Sequence, residues 1–218
     1  MKLGLNESCG ASAEASGWVK RWSHLAPAHG TVLDIACGQG RHMAWFAGRG
    51  HAVTGVDRSP EAIDAASHWG EAVLADIENA PWPLMQGGQP RTFDAVVVTN
   101  YLWRPLLSTI AQSIAPGGVL IYETFAAGNE TVGKPSRPDF LLQPGELLRA
   151  FNTLRVVAFE EGFLDPPARF VQRLAAVRES AGTDAPPMPM PHSMPHSMPH
   201  SMAHAMPEPA PHPARYPL

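Results

Sequence analysis

Three acids, Asp34, Asp57 and Asp76, each stand where a short apolar run gives way to turn residues, and between the first two lies the turn Cys37-Gly-Gln-Gly40. A carboxylate at the end of a strand can accept hydrogen bonds from a pair of hydroxyls, and glycines let backbone approach a ligand closely. The pattern points to nucleoside binding, with Asp57, about 17 residues beyond Gly40, placed to take the two hydroxyls of a ribose. Taken singly, each acid could instead be a turn residue or a helix cap. A dinucleotide fingerprint, G-x-G-x-x-G, requires a third glycine so that a helix N-terminus can meet a pyrophosphate; counted from Gly38, the sixth position is Met43.

These residues need a scaffold of strands and helices. Val32, Leu33 and Ile35 predict a buried strand, Arg41 to Gly48 a helix, and Val53–Asp57 a second strand. Ser59 is a candidate N-cap with Pro60 at the first helical position, and Glu71–Asp76 reads as a third strand. Phe93–Asn100 is apolar enough for the centre of a parallel sheet, and the stretch 100–105 beyond it is the expected reaction mouth. Tyr101 and Trp103 either face a pocket there or pack on a helix expected over Leu106–Ile114. After the turn Ala115-Pro-Gly-Gly118 comes a fifth strand with its active edge at Glu123, Thr124 and Phe125. The glycine- and proline-rich loop 126–140, which includes Asn129, is a candidate substrate gate, and Leu141–Phe151 predicts a helix. Leu154–Glu160 and Arg169–Arg178 read as a closing strand pair, although the second run could be helical by composition. Near the N-terminus, Trp18, Trp22 and Leu25 share one helical face, either covering one end of the sheet or forming a lid.

S-adenosylmethionine carries an adenosine without a phosphate, which suits close backbone approach and needs no anion cradle. The segment Asp34-Ile-Ala-Cys-Gly-Gln-Gly40 resembles the first motif of class I S-adenosylmethionine-dependent methyltransferases, with Ala36 where that family usually has glycine. The turn at 115–118 and its strand resemble the family too, as does the closing strand pair, so the likeness runs from Trp18 to Arg178. A narrower resemblance, through Cys37-Gly-Gln-Gly-Arg41 and the first helix, is to bacterial tellurite-resistance methyltransferases. The resemblance implies an α/β, Rossmann-like doubly wound fold, mostly parallel, closed by an antiparallel C-terminal pair in three α/β/α layers. It implies S-adenosylmethionine as cofactor, with Asp34, Ala36, Gly38 and Gly40 at its methionine and ribose end and Asp57 and Arg58 at the ribose. Asp76 and the Ile77 backbone would hold adenine, and the backbone near Asn100 the methionine amino group. The reaction implied is in-line methyl transfer to a small-molecule or metalloid nucleophile. Catalytic candidates are Asn100, Tyr101 and Glu123, with His42 and Glu130 nearby and no general base assigned.

The 218 residues, 44% apolar with a formal charge of −4, suit one domain plus a tail and make no electrostatic case for nucleic acid or an anionic membrane. A local basic patch of Lys134, Arg137 and Arg149 is the weak exception. There is no signal-peptide-like start and no run of about 18 apolar residues, so a cytoplasmic protein with Cys9 and Cys37 as thiols is expected. Residues 1–16 read as loosely ordered, 17–179 as the domain, and 180–218 as a disordered Pro/Met/His-rich tail. Its His192, His196 and His200 invite copper, nickel or zinc, but the recurring prolines prevent them from lining one helical face, so binding there is expected to be weak. Two rival functions remain at this level: an NAD(P)-dependent oxidoreductase, and a metal-binding protein acting through the tail.

Overall fold

The computed structural model describes residues 14–180. The expectations for Cys9 and for the tail, with His192, His196 and His200, lie outside the described residues.

Among the described residues seven strands form one sheet: β1 (Thr31–Ile35), β2 (Ala52–Asp57), β3 (Glu71–Leu74), β4 (Phe93–Thr99), β5 (Ile114–Phe125), β6 (Arg155–Leu164) and β7 (Arg169–Val177). Their spatial order is β3-β2-β1-β4-β5-β7-β6. The first five run parallel, and β7 lies antiparallel between β5 and β6. Among the described residues five α-helices cover the sheet: α1 (Gly17–Trp22), α2 (Arg41–Ala47), α3 (Pro60–Ala66), α4 (Leu107–Gln112) and α5 (Glu146–Ala150). A small hairpin pairs Met85–Gln86 with Gln89–Pro90.

Alternation along each strand divides the core into two layers. Val32, Val97, Ile121 and Ala175 face Trp18 and Val19 of α1, Met43 and Phe46 of α2, and Ala66 of α3. Leu33, Ile35, Val98, Tyr122 and Leu174 face the other way, onto Ile110 of α4, Leu147 of α5 and Phe151. Burial on both faces is why the central strands read as near-continuous apolar runs. The two closing runs are both strands. The N-terminal helix is short, with a 3-10 turn over Ser23–Leu25, and Ser16 caps it by accepting the Trp18 N–H. Among the described residues no helix is long and apolar enough to cross a membrane.

Several boundaries differ from expectation. Only Glu146–Ala150 of the stretch 141–151 is helical. Pro144 disfavours helical backbone at Gln143, so Leu141 and Leu142 enter the core extended, with Leu142 bridging Ala126. The helix expected over 106–114 is α4 preceded by a 3-10 turn at Arg104–Leu106, and Ile114 already belongs to β5. β3 stops two residues short of Asp76 because that carboxylate accepts the N–H groups of Glu78 and Asn79 and starts a turn.

Candidate functional site

The chain order reverses between β1 and β4, and the crevice beyond the carboxyl ends of these strands is where doubly wound sheets bind ligands. Two cavities, of about 310 Å³ and 360 Å³, lie there and share Ala36 and Asn100 as lining residues. These two residues follow β1 and β4 directly, and both hold φ at +54°, the left-handed region. Asparagine tolerates that conformation; alanine is strained in it by about 1–2 kcal/mol. The constraint at Ala36, where the resembling family usually has glycine, is therefore its backbone. Ala36→Gly relieves that strain against about 0.5–1 kcal/mol of added chain entropy in the unfolded state, a net gain of about 0.5–1 kcal/mol. A higher urea midpoint is the expected result, and a lower one would refute the strain.

The smaller cavity is lined on one side by Asp57, Arg58, Asp76, Ile77 and Glu78. Asp57 accepts the Gly38 N–H on one oxygen and the Ser59 N–H on the other, both at 2.9 Å, which fixes the glycine turn against β2. A carboxylate has about four acceptor sites, so Asp57 keeps capacity for further donors. Asp76 caps its own turn and also lines the cavity, so it has both roles considered for it. The Asn79 side chain and then the Glu78 N–H hold its carboxyl below the usual range. Tyr101 lines the cavity, with its hydroxyl buried beside Glu78. Burial raises the Tyr101 pKa, and the nearby Glu78 carboxylate adds to the rise, which puts that hydroxyl on the Asp76 side. Trp103 packs against the core and does not line the cavity.

The second cavity is lined by Gly38, Gln39, Arg41, His42 and Thr99 besides the shared pair and Cys37. Gly38 has φ +53° and open space where a Cβ would stand, so a side chain there would project into the crevice. Gly40 differs from expectation. It is buried, with φ +81°, and a Cβ would come within 3.1 Å of Ala66 Cα and Trp69 Cδ1, so this glycine serves the packing of α2 on α3 rather than ligand approach. Asp34 lies behind the turn, 2% exposed and lining neither cavity, with no hydrogen bond to either oxygen. Burial pushes its pKa up to about 8, with Arg41 opposing the rise. Its Oδ2 is 3.7 Å from Nδ1 of His42. Burial and then Arg41 lower the His42 pKa to about 3, so the ring is neutral. Its Nε2 accepts the Ser16 N–H at 3.3 Å, which leaves the proton on Nδ1, 3.5 Å from Thr99 Oγ1. An imidazole held this way is a poor general base.

Two other candidates fall outside the site. Glu123 is 1% exposed, pairs with Arg173 Nε at 2.6 Å, accepts the Ser16 hydroxyl at 3.1 Å and lines neither cavity. It is a structural ion-pair partner and not a base at the crevice. Glu130 is exposed and accepts the Gly128 N–H. Asn129, in the expected gate, is buried as a staple: its amide donates to the Pro135 carbonyl at 2.9 Å and accepts the Phe170 N–H at 3.1 Å. The loop does reach the cavity, through Pro135 and Phe140. Sequence reasoning missed its anchor, Arg104, which donates to both Glu146 oxygens at 2.7 and 3.0 Å and to the carbonyls of Asp139 and Leu141 at 2.8 and 2.9 Å. No local pattern joins residues this far apart in sequence; Phe140, the single aromatic of its loop, was the one available signal. Among the described residues no three His, Cys, Asp or Glu side chains are grouped to hold a metal ion.

Residues 32–118 match the family model described as a methyltransferase domain. Over 115 residues the chain is 32% identical to a ubiquinone biosynthesis O-methyltransferase of Burkholderia ambifaria, covering 50% of this chain and 49% of that protein. The chain thus spans about half the length of the curated relatives it matches. Among solved structures, TehB from Haemophilus influenzae superposes with a TM-score of 0.60 at 19% identity, covering 74% of this chain and 61% of that one. A TehB-like SAM-dependent methyltransferase from Corynebacterium glutamicum gives 0.56 at 21% identity, covering 78% and 90%. At these identities the structural likeness is one of fold.

Proposed function

We propose that this chain is a class I S-adenosylmethionine-dependent methyltransferase that binds S-adenosylmethionine across both cavities and transfers its methyl group to a small-molecule nucleophile. The observation that carries the reading is the pairing of the two cavities through Ala36 and Asn100, with acids on one side and an open glycine turn on the other. The chain's own groups fit such a ligand. The absent Cβ of Gly38 leaves room for a chain to lie on the backbone, and Asp34, with two orphaned carboxyl oxygens, backs that turn. Asp57 would take the ribose hydroxyls, with Arg58 beside them, while Asp76 and the Ile77 N–H would take the adenine edge.

The cofactor supplies a methyl carbon already activated on a cationic sulfur. The protein's task is then alignment of donor and acceptor and exclusion of water, to which the Leu102 and Phe125 walls contribute. The same reading takes residues 17–179 as the catalytic domain and the cytoplasm as its compartment.

Calorimetric titration of the full chain with S-adenosylmethionine, its demethylated product, NADH and NADPH tests the proposal. Both sulfur nucleosides are expected to bind and the nicotinamide nucleotides are not. Binding of NADH or NADPH in preference would replace this reading with the oxidoreductase one.

A further inference from the structure

Resting on the methyl-transfer reading, we propose that Arg41 binds the carboxylate of the cofactor's methionine moiety. The two cavities differ in charge. Among the described residues lining the smaller one are Asp57, Asp76 and Glu78, with Arg58 as the one basic side chain. Arg58 therefore shares its space with three carboxylates. The second cavity has no carboxylate among its lining residues, its His42 is neutral, and Arg41 is the one charged side chain there.

Arg41 is also uncommitted. It is half-buried, and among the described residues it makes no hydrogen bond, ion pair or ring contact. Asp34 behind the turn does not neutralise it. Burial pushes the Asp34 pKa up to about 8 against the pull of Arg41, so that carboxyl stays mostly protonated near pH 7. A guanidinium presents its donors in a planar fork that matches the two oxygens of a carboxylate. Gln39, Thr99 and Asn100 add uncharged donors to the same cavity. A carboxylate entering here exchanges its hydration for an unpaired cation and these donors, whereas in the smaller cavity it would meet three like charges.

S-adenosylmethionine carries its carboxylate at the end remote from the adenine. With the adenosine held by Asp57 and Asp76, the amino-acid part falls to the second cavity, where the absent Cβ of Gly38 leaves room for it. Holding both ends of the cofactor limits where its sulfur can sit, which is the alignment that methyl transfer needs. The demethylated product, S-adenosylhomocysteine, keeps the same carboxylate and serves as a stable probe.

Calorimetry on the full chain compares S-adenosylhomocysteine with its decarboxylated analogue, which retains the adenosine, the sulfur and the amino group. The wild type is expected to bind S-adenosylhomocysteine at least about tenfold more tightly, the size of one charge-assisted contact. In Arg41→Gln that preference is expected to shrink to within about threefold, through weaker S-adenosylhomocysteine binding with the analogue unaffected. The melting temperature of the free variant should stay near that of the wild type, because Arg41 has no partner to lose. Arg58→Gln, acting in the other cavity, is expected to keep the wild-type preference. Equal affinity of the two ligands in the wild type overturns the proposal, and so does a loss in Arg41→Gln that falls on both ligands alike. A preference abolished by Arg58→Gln and kept by Arg41→Gln overturns it as well. All three results leave the methyltransferase reading standing. Failure of the wild type to bind either ligand overturns both.

Discussion

Asp57→Ala is expected to weaken S-adenosylmethionine binding by about a hundredfold. Two hydroxyls donating to one carboxylate make two charge-assisted hydrogen bonds, each contributing about 1.5–3 kcal/mol, and the lower sum of about 3 kcal/mol already corresponds to two orders of magnitude. A second contribution comes from the free protein, where the same carboxylate accepts the N–H groups of Gly38 and Ser59. Its removal therefore also loosens the turn at the second cavity. Asp57→Asn perturbs the turn as well, because its amide nitrogen would set a donor against an N–H. That variant is expected to lose affinity and also to melt below the wild type without ligand. Calorimetric affinity within about threefold of wild type in Asp57→Ala would remove Asp57 from the site.

Arg173→Ala is expected to destabilise the fold by about 3–5 kcal/mol, because it strands the Glu123 carboxylate in the core with the Ser16 hydroxyl as its remaining side-chain partner. The lost guanidinium also donates to Glu160 and lies 5.7 Å from the Trp18 ring centroid, so the docking of α1 weakens with it. For a chain of this size the melting temperature should fall by about 10 °C. Glu123→Gln keeps the volume and removes the charge, and Arg173 retains Glu160, so a smaller loss is expected. Methyl transfer by that variant should keep its pH profile. A fall of more than about a hundredfold in kcat with the fold intact would instead make Glu123 a general base.

The limits of sequence reading follow from the range of the forces involved. The alternation that buries Val32 on one face and Leu33 and Ile35 on the other, and the capping of α3 by Ser59 with Pro60 behind it, are decided by neighbours a few residues away. Local chemistry also put Asp57 at the end of a strand and Asp76 in the turn just beyond one. With the order of the strands along the chain, that was enough to read a doubly wound sheet. Gly38 and Gly40 looked alike because both occupy positive φ; the arrival of Ala66 and Trp69 from α3 separates their roles.

The same holds for the acids and for the gate. Glu123 sits at a strand edge, where a catalytic group is expected, and became structural when β7 brought Arg173 alongside it. Asn129 and Arg104 hold the loop through carbonyls and carboxylates whose sequence separations no local pattern encodes. Sequence alone therefore determined most of the strand and helix pattern and the class of cofactor, since these depend on residue type and short spacing. Which polar side chains face the crevice, and which are neutralised in the core, was decided by tertiary structure, because a charge takes its role from the partner that long-range packing delivers to it.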